Sequence, residues 1–205
     1  MKIKAIIFDV DGVLIEPKVF AKVLECDYHL TRQQIESFFE GPFRQCLLGK
    51  ADFRSEVPRF LDEWKWPHSI EKFMEIWFKA DSRKNSELFD FAQEMRKRGV
   101  LCYIASTQEQ YRAAYLEDQL RLGNLFDGLF FSCRLGCQKP ELKFYEIASS
   151  RVPVEPNEIL FLDDIIENVL AAKKTGWNAE LYTIGMDFSA ILKKYSFTAA
   201  LIAGN

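Results

Sequence analysis

The stretch AIIFDVDGVL at residues 5–14 places two carboxylates, Asp9 and Asp11, directly after an apolar run, and a glycine follows them at once. In an extended strand, residues two apart point to the same side, so both carboxylates are expected to face one ligand. Gly12 lets the backbone turn where a larger residue would be strained. Two like charges this close repel each other and need a cation or a shared proton. The stretch therefore predicts a carboxylate nucleophile with an acid–base neighbour and a metal ion.

Composition and charge exclude several classes of protein. The 205 residues are 48% hydrophobic and 28% charged, enough to bury one core and a modest insertion. A formal net charge of −3 gives no support to nucleic-acid binding. No 18-residue apolar stretch occurs, and the N-terminus runs straight into Asp9, so we expect neither a membrane span nor a signal peptide.

The cysteines and histidines argue against disulfide and zinc frameworks. Five cysteines without a C-x-x-C pair predict reduced thiols and a cytoplasmic protein. Cys133 and Cys137 could form half of a metal site, but small buried or loop residues are the better interpretation. The two histidines, His29 and His68, lie far from the acidic motifs, which disfavours histidine triads and histidine zinc sites.

The spacing of apolar residues predicts strands that alternate with helices on either side of an insertion. An alternation of this kind indicates an α/β fold with a doubly wound parallel sheet. Strands are predicted at residues 2–8, 100–105, 129–131, 159–162 and 179–183, with helices near residues 88–98, 109–122, 141–150 and 167–175.

Residues 16–80 differ from the rest of the chain in composition and in the spacing of their apolar residues. They hold three of the four tryptophans, and their apolar residues show helical spacings such as that of Ile35, Phe38 and Phe39. They predict a small helical insertion with its own apolar centre, which leaves residues 1–15 and 81–205 as the core. The tail from residue 187 is expected to pack a last short helix. Its apolar segment 197–203 could dock on the core, join a dimer interface or fray, and the oligomeric state is left open.

Polar side chains follow three of the predicted strands, and one lysine lies on a loop before a helix. Taken singly, each of these residues can be explained without a function, as a solvated charge, a helix cap or a charge at a helix N-terminus. Because ligands of open parallel sheets bind outside the carboxyl ends of the strands, their joint position predicts one site. The residues are Asp9 and Asp11, Ser106 and Thr107, Asp163 and Asp164, and Lys139.

In their order, these motifs resemble those of the haloacid dehalogenase superfamily, in its phosphatase-like branch. The segment DVDGVL at 9–14 resembles the first motif, IAST at 104–107 the second, Lys139-Pro140 the third, and FLDD at 161–164 with Asn168 the fourth. The resemblance implies a Rossmann-like core, and the insertion after the first strand resembles the small helical cap of that family.

The resemblance implies Mg²⁺-dependent hydrolysis of small phosphorylated metabolites, such as sugar phosphates, through an aspartyl-phosphate. Asp9 is then the nucleophile, and Asp11 protonates the leaving oxygen and later activates water. Mg²⁺ is expected on Asp9, the backbone carbonyl of Asp11 and the fourth-motif carboxylates. Whether Asp163 or Asp164 is the direct ligand is left open, with Asp164 preferred.

The remaining motif residues are expected to bind phosphate or to support the site. Ser106 and Lys139 are expected to contact the transferring phosphoryl group, and Gly12 and Asn168 to support the loops. Thr107 stands where many relatives carry asparagine, and its backbone N–H can still reach phosphate.

Two cations of the insertion, Arg44 and Lys50, are candidates for contact with the substrate. The alternative is a surface cation whose stem covers apolar neighbours.

Three other functions stay open. A phosphosugar mutase would use the same Asp9 and Asp11 and retain the phosphoryl group. A 2-haloacid dehalogenase is disfavoured by Asp11 and by the Asp163-Asp164 pair, because halide displacement needs no Mg²⁺. A module that binds a phosphorylated ligand without turnover is possible because a fold does not determine function.

Overall fold

The computed structural model of the chain describes residues 2–198 and is built on a five-stranded parallel sheet in the order β4-β3-β2-β5-β6. A second, two-stranded parallel sheet pairs the first and last strands of the described chain. The prediction of a doubly wound parallel α/β fold is confirmed. The strands are β1 (Lys2–Ile3), β2 (Ala5–Phe8), β3 (Leu101–Ser106), β4 (Gly128–Phe131), β5 (Ile159–Asp163), β6 (Asn178–Leu181) and β7 (Ser196–Phe197).

Helices cover both faces of the large sheet and make up the segment between β2 and β3. None of those in the described range has both the length and the apolar character needed to cross a bilayer. They are α1 (Phe20–Asp27), α2 (Arg32–Phe39), α3 (Phe43–Leu47), α4 (Phe53–Glu63), α5 (Ile70–Ala80), α6 (Ser86–Lys97), α7 (Gln110–Ala114), a π-helix (Tyr115–Gln119), α8 (Leu122–Leu125), α9 (Ser132–Leu135), α10 (Leu142–Ser149), a 3₁₀-helix (Pro156–Glu158), α11 (Ile166–Lys174) and α12 (Phe188–Lys194).

The apolar run before Asp9 is continuous because β2 is buried on both of its faces. Ile6 and Phe8 pack into a cluster that includes the apolar face of α6. Ala5 and Ile7 point the other way, into a cluster with α10 and α11. The sheet is therefore a central layer between two helical layers, and Asp9 is the first residue beyond it.

The α1–α5 segment has an apolar cluster of its own, as the spacing of its aromatic residues predicts. Phe38, Phe53 and Phe73 are fully buried in it. Side chains cap three of its helices: Thr31 accepts a hydrogen bond from the Gln34 N–H at the start of α2, Asp52 accepts one from the Ser55 N–H at the start of α4, and Ser69 accepts one from the Lys72 N–H at the start of α5. The division of the chain at residues 16 and 80 into two domains stays a prediction.

Two elements differ from the sequence-based expectation, and the tail agrees with it. The first strand is split at Lys4, whose N–H donates to the Glu158 carbonyl, so that β1 pairs with β7 and β2 pairs with β3 and β5. The helix expected over 109–122 consists instead of α7, the π-helix and α8, and the left-handed conformation of Arg121 (φ 59°) interrupts it before α8. The tail forms α12 as expected, and its residues from 199 on lie outside the described range.

The order of the strands determines where a ligand can bind. From β2 the chain proceeds outward to β3 and β4, and then returns to the other side of β2 with β5 and β6. The connections diverge between β2 and β5, which creates a crevice at the carboxyl ends of these strands. Asp9 and Asp163 lie at that crevice.

Candidate active site

A buried lysine joins two buried carboxylates at the crevice. Lys139, on the loop between α9 and α10, places its Nζ 2.9 Å from Oδ1 of Asp9 and 2.6 Å from Oδ2 of Asp163. Burial raises the pKa of Asp9 to about 7, with Lys139 opposing the rise and Asp163 adding to it. Burial would lower the pKa of Lys139, but the two carboxylates outweigh it and raise that pKa. Lys139 is therefore held as a cation against the candidate nucleophile.

The fourth-motif carboxylates have different roles in the geometry. Asp163 accepts hydrogen bonds from Lys139, from the Ile165 N–H at 2.8 Å and, with both oxygens, from Asn168 Nδ2 at 3.0 and 3.1 Å. Asp164 is exposed and lies against Gly12, where a Cβ atom would overlap its carboxylate. Asp163 is thus fixed by its partners, whereas Asp164 presents a carboxylate to the cavity.

The acidic cluster fits a hard divalent cation. One oxygen each of Asp9, Asp163 and Asp164 can be chosen so that the three lie within 4.8 Å of one another. Carboxylate oxygens are the ligands that Mg²⁺ prefers. Within residues 2–198, Lys139 is the only cation that forms ion pairs with this cluster, and it pairs with Asp9 and Asp163. Since Asp163 is committed to other partners, Asp9 and Asp164 are the carboxylates best placed to bind a cation directly.

Asp11 lies outside this cluster and has its own set of partners. Gln108 Nε2 donates to its Oδ2 at 2.8 Å, Lys18 Nζ lies 3.1 Å from the same oxygen, and Arg112 Nη2 lies 3.8 Å from Oδ1. Burial would raise the pKa of Asp11, yet Lys18 and Arg112 outweigh it and lower that pKa. Oδ1 is buried and accepts no hydrogen bond from the described residues.

Sequence reasoning missed Lys18, Gln108 and Arg112. Gln108 follows the second motif directly, which was the available signal for it, and Arg112 lies on α7, which begins at Gln110. Arg112 is almost completely buried, and its Nη1 donates to the Phe78 carbonyl at 3.0 Å. Nothing in the local sequence distinguishes Lys18 from other surface lysines.

Most of the motif residues, though not Asp163, line one cavity of about 810 Å³. Ser106, the last residue of β3, is buried and receives a hydrogen bond from Gln108 Nε2 at 3.0 Å, whereas Thr107 is half-buried. Arg44 and Lys50 are exposed and do not belong to the lining, so the structure does not bring them to the carboxylates. The predicted residues that line the cavity are Asp9, Asp11, Gly12, Ser106, Thr107, Lys139, Asp164 and Asn168.

Comparison with known proteins identifies the family. The sequence model of haloacid dehalogenase-like hydrolases matches residues 3–176, and the chain belongs to that family. Bifunctional epoxide hydrolase 2 of Mus musculus is 28% identical over 198 residues, which cover 86% of this chain and 36% of the mouse protein. This chain thus spans about a third of that relative. Phosphoglycolate phosphatase 1 of Pseudomonas aeruginosa is 24% identical over 197 residues, with 89% of this chain and 70% of that protein covered.

A solved structure shares the fold. The crystal structure of a haloacid dehalogenase family enzyme from Bacteroides thetaiotaomicron, in complex with magnesium and inorganic phosphate, matches with a TM-score of 0.76 at 16% identity. The match covers 92% of this chain and 98% of the bacterial one. The match shows that the chain has the α/β fold of this family.

Proposed function

We propose that this chain is a Mg²⁺-dependent hydrolase of phosphate monoesters that works through an aspartyl-phosphate on Asp9. One observation carries the proposal: Asp9 and Asp11 open onto the same cavity, and Lys139 lies 2.9 Å from Oδ1 of Asp9. A nucleophilic carboxylate, a second carboxylate for proton transfer and a buried cation are the groups that phosphoryl transfer requires. Halide displacement has no use for Asp11.

The charges of the cavity support binding of both a cation and a phosphate. Asp9 and Asp164 would hold Mg²⁺ together with the backbone carbonyl of Asp11. Asp163 would hold Lys139 in position through the ion pair between them. When bound, Mg²⁺ supplies positive charge that offsets the carboxylates and the phosphate. The phosphoryl oxygens would be bound by Lys139, Ser106 and the Thr107 N–H. The relatives include a phosphatase, and the B. thetaiotaomicron structure contains magnesium and phosphate.

Two displacements at phosphorus account for the reaction. In the first, a carboxylate oxygen of Asp9 attacks phosphorus, the bond between phosphorus and the ester oxygen breaks, and Asp11 gives a proton to the leaving alcohol. In the second, Asp11 takes a proton from water, which attacks phosphorus and releases inorganic phosphate and the free Asp9 carboxylate. Atoms and protons balance over the two steps, and the enzyme is regenerated.

The partners of Asp11 fit the second step directly, because Lys18 and Arg112 favour its ionised form. For the first step Asp11 must carry a proton. A phosphate bound beside it adds negative charge, which favours the protonated carboxyl. Proton transfer to the leaving alcohol then leaves Asp11 ionised, which is the form that the second step needs.

The test is phosphate release from p-nitrophenyl phosphate with Mg²⁺ and with a chelator. We expect hydrolysis that disappears with the chelator and returns when Mg²⁺ is added in excess. Halide release from 2-chloropropionate without phosphatase activity would contradict the proposal in favour of a dehalogenase. Isomerisation of a hexose 1-phosphate without net release of phosphate would favour a mutase.

A further inference from the structure

The cavity has two chemically different linings. Its polar residues come mostly from the carboxyl ends of the strands and the loops that follow them, as described above. The α1–α5 segment contributes mainly hydrocarbon surface instead: Phe20, Ile35, Phe39, Phe43, Leu47 and Trp77. We call the rings of Phe20, Phe39, Phe43 and Trp77 the aromatic wall. Spacing alone assigned these aromatic residues to the centre of the insertion, yet the aromatic wall also faces the cavity.

The aromatic wall is continuous, because each of its rings contacts another. The rings of Phe20 and Trp77 stack with centroids 5.9 Å apart. Phe43 lies 5.0 Å from Phe39 and 5.6 Å from Trp77. Phe39 and Leu47 are only half-buried, so part of their apolar surface is open to a ligand. Burying such surface against hydrocarbon is favourable in proportion to its area.

The polar groups near the aromatic wall are mostly engaged elsewhere. Glu36 pairs with Arg32 at 2.5 Å, and Lys18 pairs with Asp11. Oδ1 of Asp81 accepts hydrogen bonds from the Val19 and Phe20 N–H groups at 2.7 and 3.0 Å.

What remains on this side of the cavity is an acceptor set: the exposed Glu40 and Oδ2 of Asp81, which is buried without a partner among the described residues. These two acceptors could receive hydrogen bonds from two hydroxyls of a sugar leaving group, but its remaining hydroxyls would be buried against rings without partners, which is unfavourable. A leaving alcohol with a hydrocarbon body needs none of these partners.

We infer that the leaving group of the substrate is an apolar alcohol, so that the enzyme acts on hydrocarbon phosphate monoesters rather than on sugar phosphates. The inference rests on the proposed phosphatase function and adds the class of alcohol to it. The phosphate lies at Asp9 and Lys139, and the hydrocarbon body lies along the aromatic wall. A cavity of about 810 Å³ has room for a ligand much larger than phosphate alone.

The first experiment measures kcat/KM for ethyl, butyl, hexyl and octyl phosphate and for glucose 6-phosphate, with Mg²⁺. The leaving alcohols of the alkyl series differ little in acidity, so a trend reports burial of the chain. Each buried methylene is expected to raise kcat/KM by about fourfold, or roughly a hundredfold or more from ethyl to hexyl. A flat series, or glucose 6-phosphate exceeding hexyl phosphate, would overturn the inference.

A matched pair of variants locates the effect. Leu47→Gln replaces apolar surface of the cavity with an amide and is expected to flatten the rise from ethyl to hexyl phosphate by tenfold or more. Leu192→Gln changes a leucine of α12 that is 37% exposed and outside the cavity lining, and it is expected to keep the parent slope. Equal slopes in the two variants would contradict the assigned position of the hydrocarbon.

A binding measurement separates this inference from the phosphatase proposal. Ethyl- and hexylphosphonate have a carbon–phosphorus bond that this mechanism does not cleave, so their affinity can be measured by calorimetry with Mg²⁺ present. Tighter binding of hexylphosphonate by a hundredfold, with a negative heat-capacity change, supports the inference even if turnover is absent. Hydrolysis of p-nitrophenyl phosphate together with equal affinities would overturn the inference and leave the phosphatase proposal standing.

Discussion

The substitution Gly12→Ala is expected to have two effects: it strains the backbone, and it displaces a candidate metal ligand. A control variant with the same backbone strain separates the two. Gly12 has φ +81°, and a Cβ atom there would lie 2.7 Å from Cγ of Asp164 and overlap its carboxylate oxygen. Gly185 has the same φ of +81°, and a Cβ atom there would meet nothing within 4 Å. Gly185→Ala is therefore a control with the same backbone penalty and no collision.

The expected magnitudes follow from these two geometries. An alanine in the left-handed region costs roughly 1–2 kcal/mol, so both variants are expected to lose about that much stability. The carboxylate of Asp164 is the exposed end of a flexible side chain, and it can swing away at little further cost. Gly12→Ala therefore displaces a ligand without a large additional loss of stability. The displacement is expected to weaken Mg²⁺ binding by about 10–100-fold.

Two assays test the comparison. Urea unfolding with a chelator present is expected to give free energies of unfolding for the two variants within about 0.5 kcal/mol of each other. The Mg²⁺ concentration for half-maximal hydrolysis of p-nitrophenyl phosphate is expected to rise for Gly12→Ala alone. An unchanged Mg²⁺ requirement in Gly12→Ala would refute the placement of Asp164 as a ligand.

Three further substitutions test the buried charges. Lys139→Met leaves two buried carboxylates without their cation and is expected to lower the free energy of unfolding by about 3–5 kcal/mol, measured with a chelator present. The control Lys143→Met removes an exposed lysine and is expected to change stability by less than about 0.5 kcal/mol. Similar urea midpoints for the two variants would contradict the role of Lys139 as the partner of the buried carboxylates. Arg112→Met leaves buried carbonyl oxygens without a hydrogen-bond donor and is expected to lower the free energy of unfolding by about 1–3 kcal/mol. The control Arg59→Met removes a surface ion pair and is expected to cost less than about 1 kcal/mol. Equal losses of stability in urea unfolding would show that the buried contacts of Arg112 are dispensable. Asp11→Asn is expected to lower kcat/KM for alkyl phosphates by about 10²–10⁴-fold and that for p-nitrophenyl phosphate much less, because a nitrophenolate leaves without a proton. Since kcat/KM reports the steps up to release of the alcohol, equal losses in kcat/KM would exclude Asp11 as the proton donor.

The strand ends and their polar residues could be predicted from the sequence because both are local. An apolar run buried on both faces of a sheet is visible as a run, and the residue that follows it lies at the sheet edge. Asp9, Ser106 and Asp163 were found in this way.

Gln108 and Arg112 were not predictable as partners of Asp11, since these contacts join distant parts of the chain. Gln108 lies 97 positions from Asp11, and no short pattern joins the two.

The aromatic wall shows a second limit of pattern reasoning. Helical spacing identifies an apolar face, but it does not distinguish a face packed against other helices from one that also borders a cavity. Phe38 and Phe39 are adjacent in the sequence, and both belong to the apolar cluster of the insertion, yet only Phe39 lines the cavity. Charge suggested Arg44 and Lys50 as substrate contacts, but both lie outside the cavity lining.

The most direct test of the central claim is the rate of phosphate release by Asp9→Asn at saturating Mg²⁺, compared with the parent protein. The amide has nearly the shape of the carboxylate, so the variant is expected to fold with the same circular dichroism spectrum. Because the amide is a poor nucleophile, release of phosphate is expected to fall to the background rate. A folded Asp9→Asn variant that hydrolyses p-nitrophenyl phosphate as fast as the parent would contradict the account.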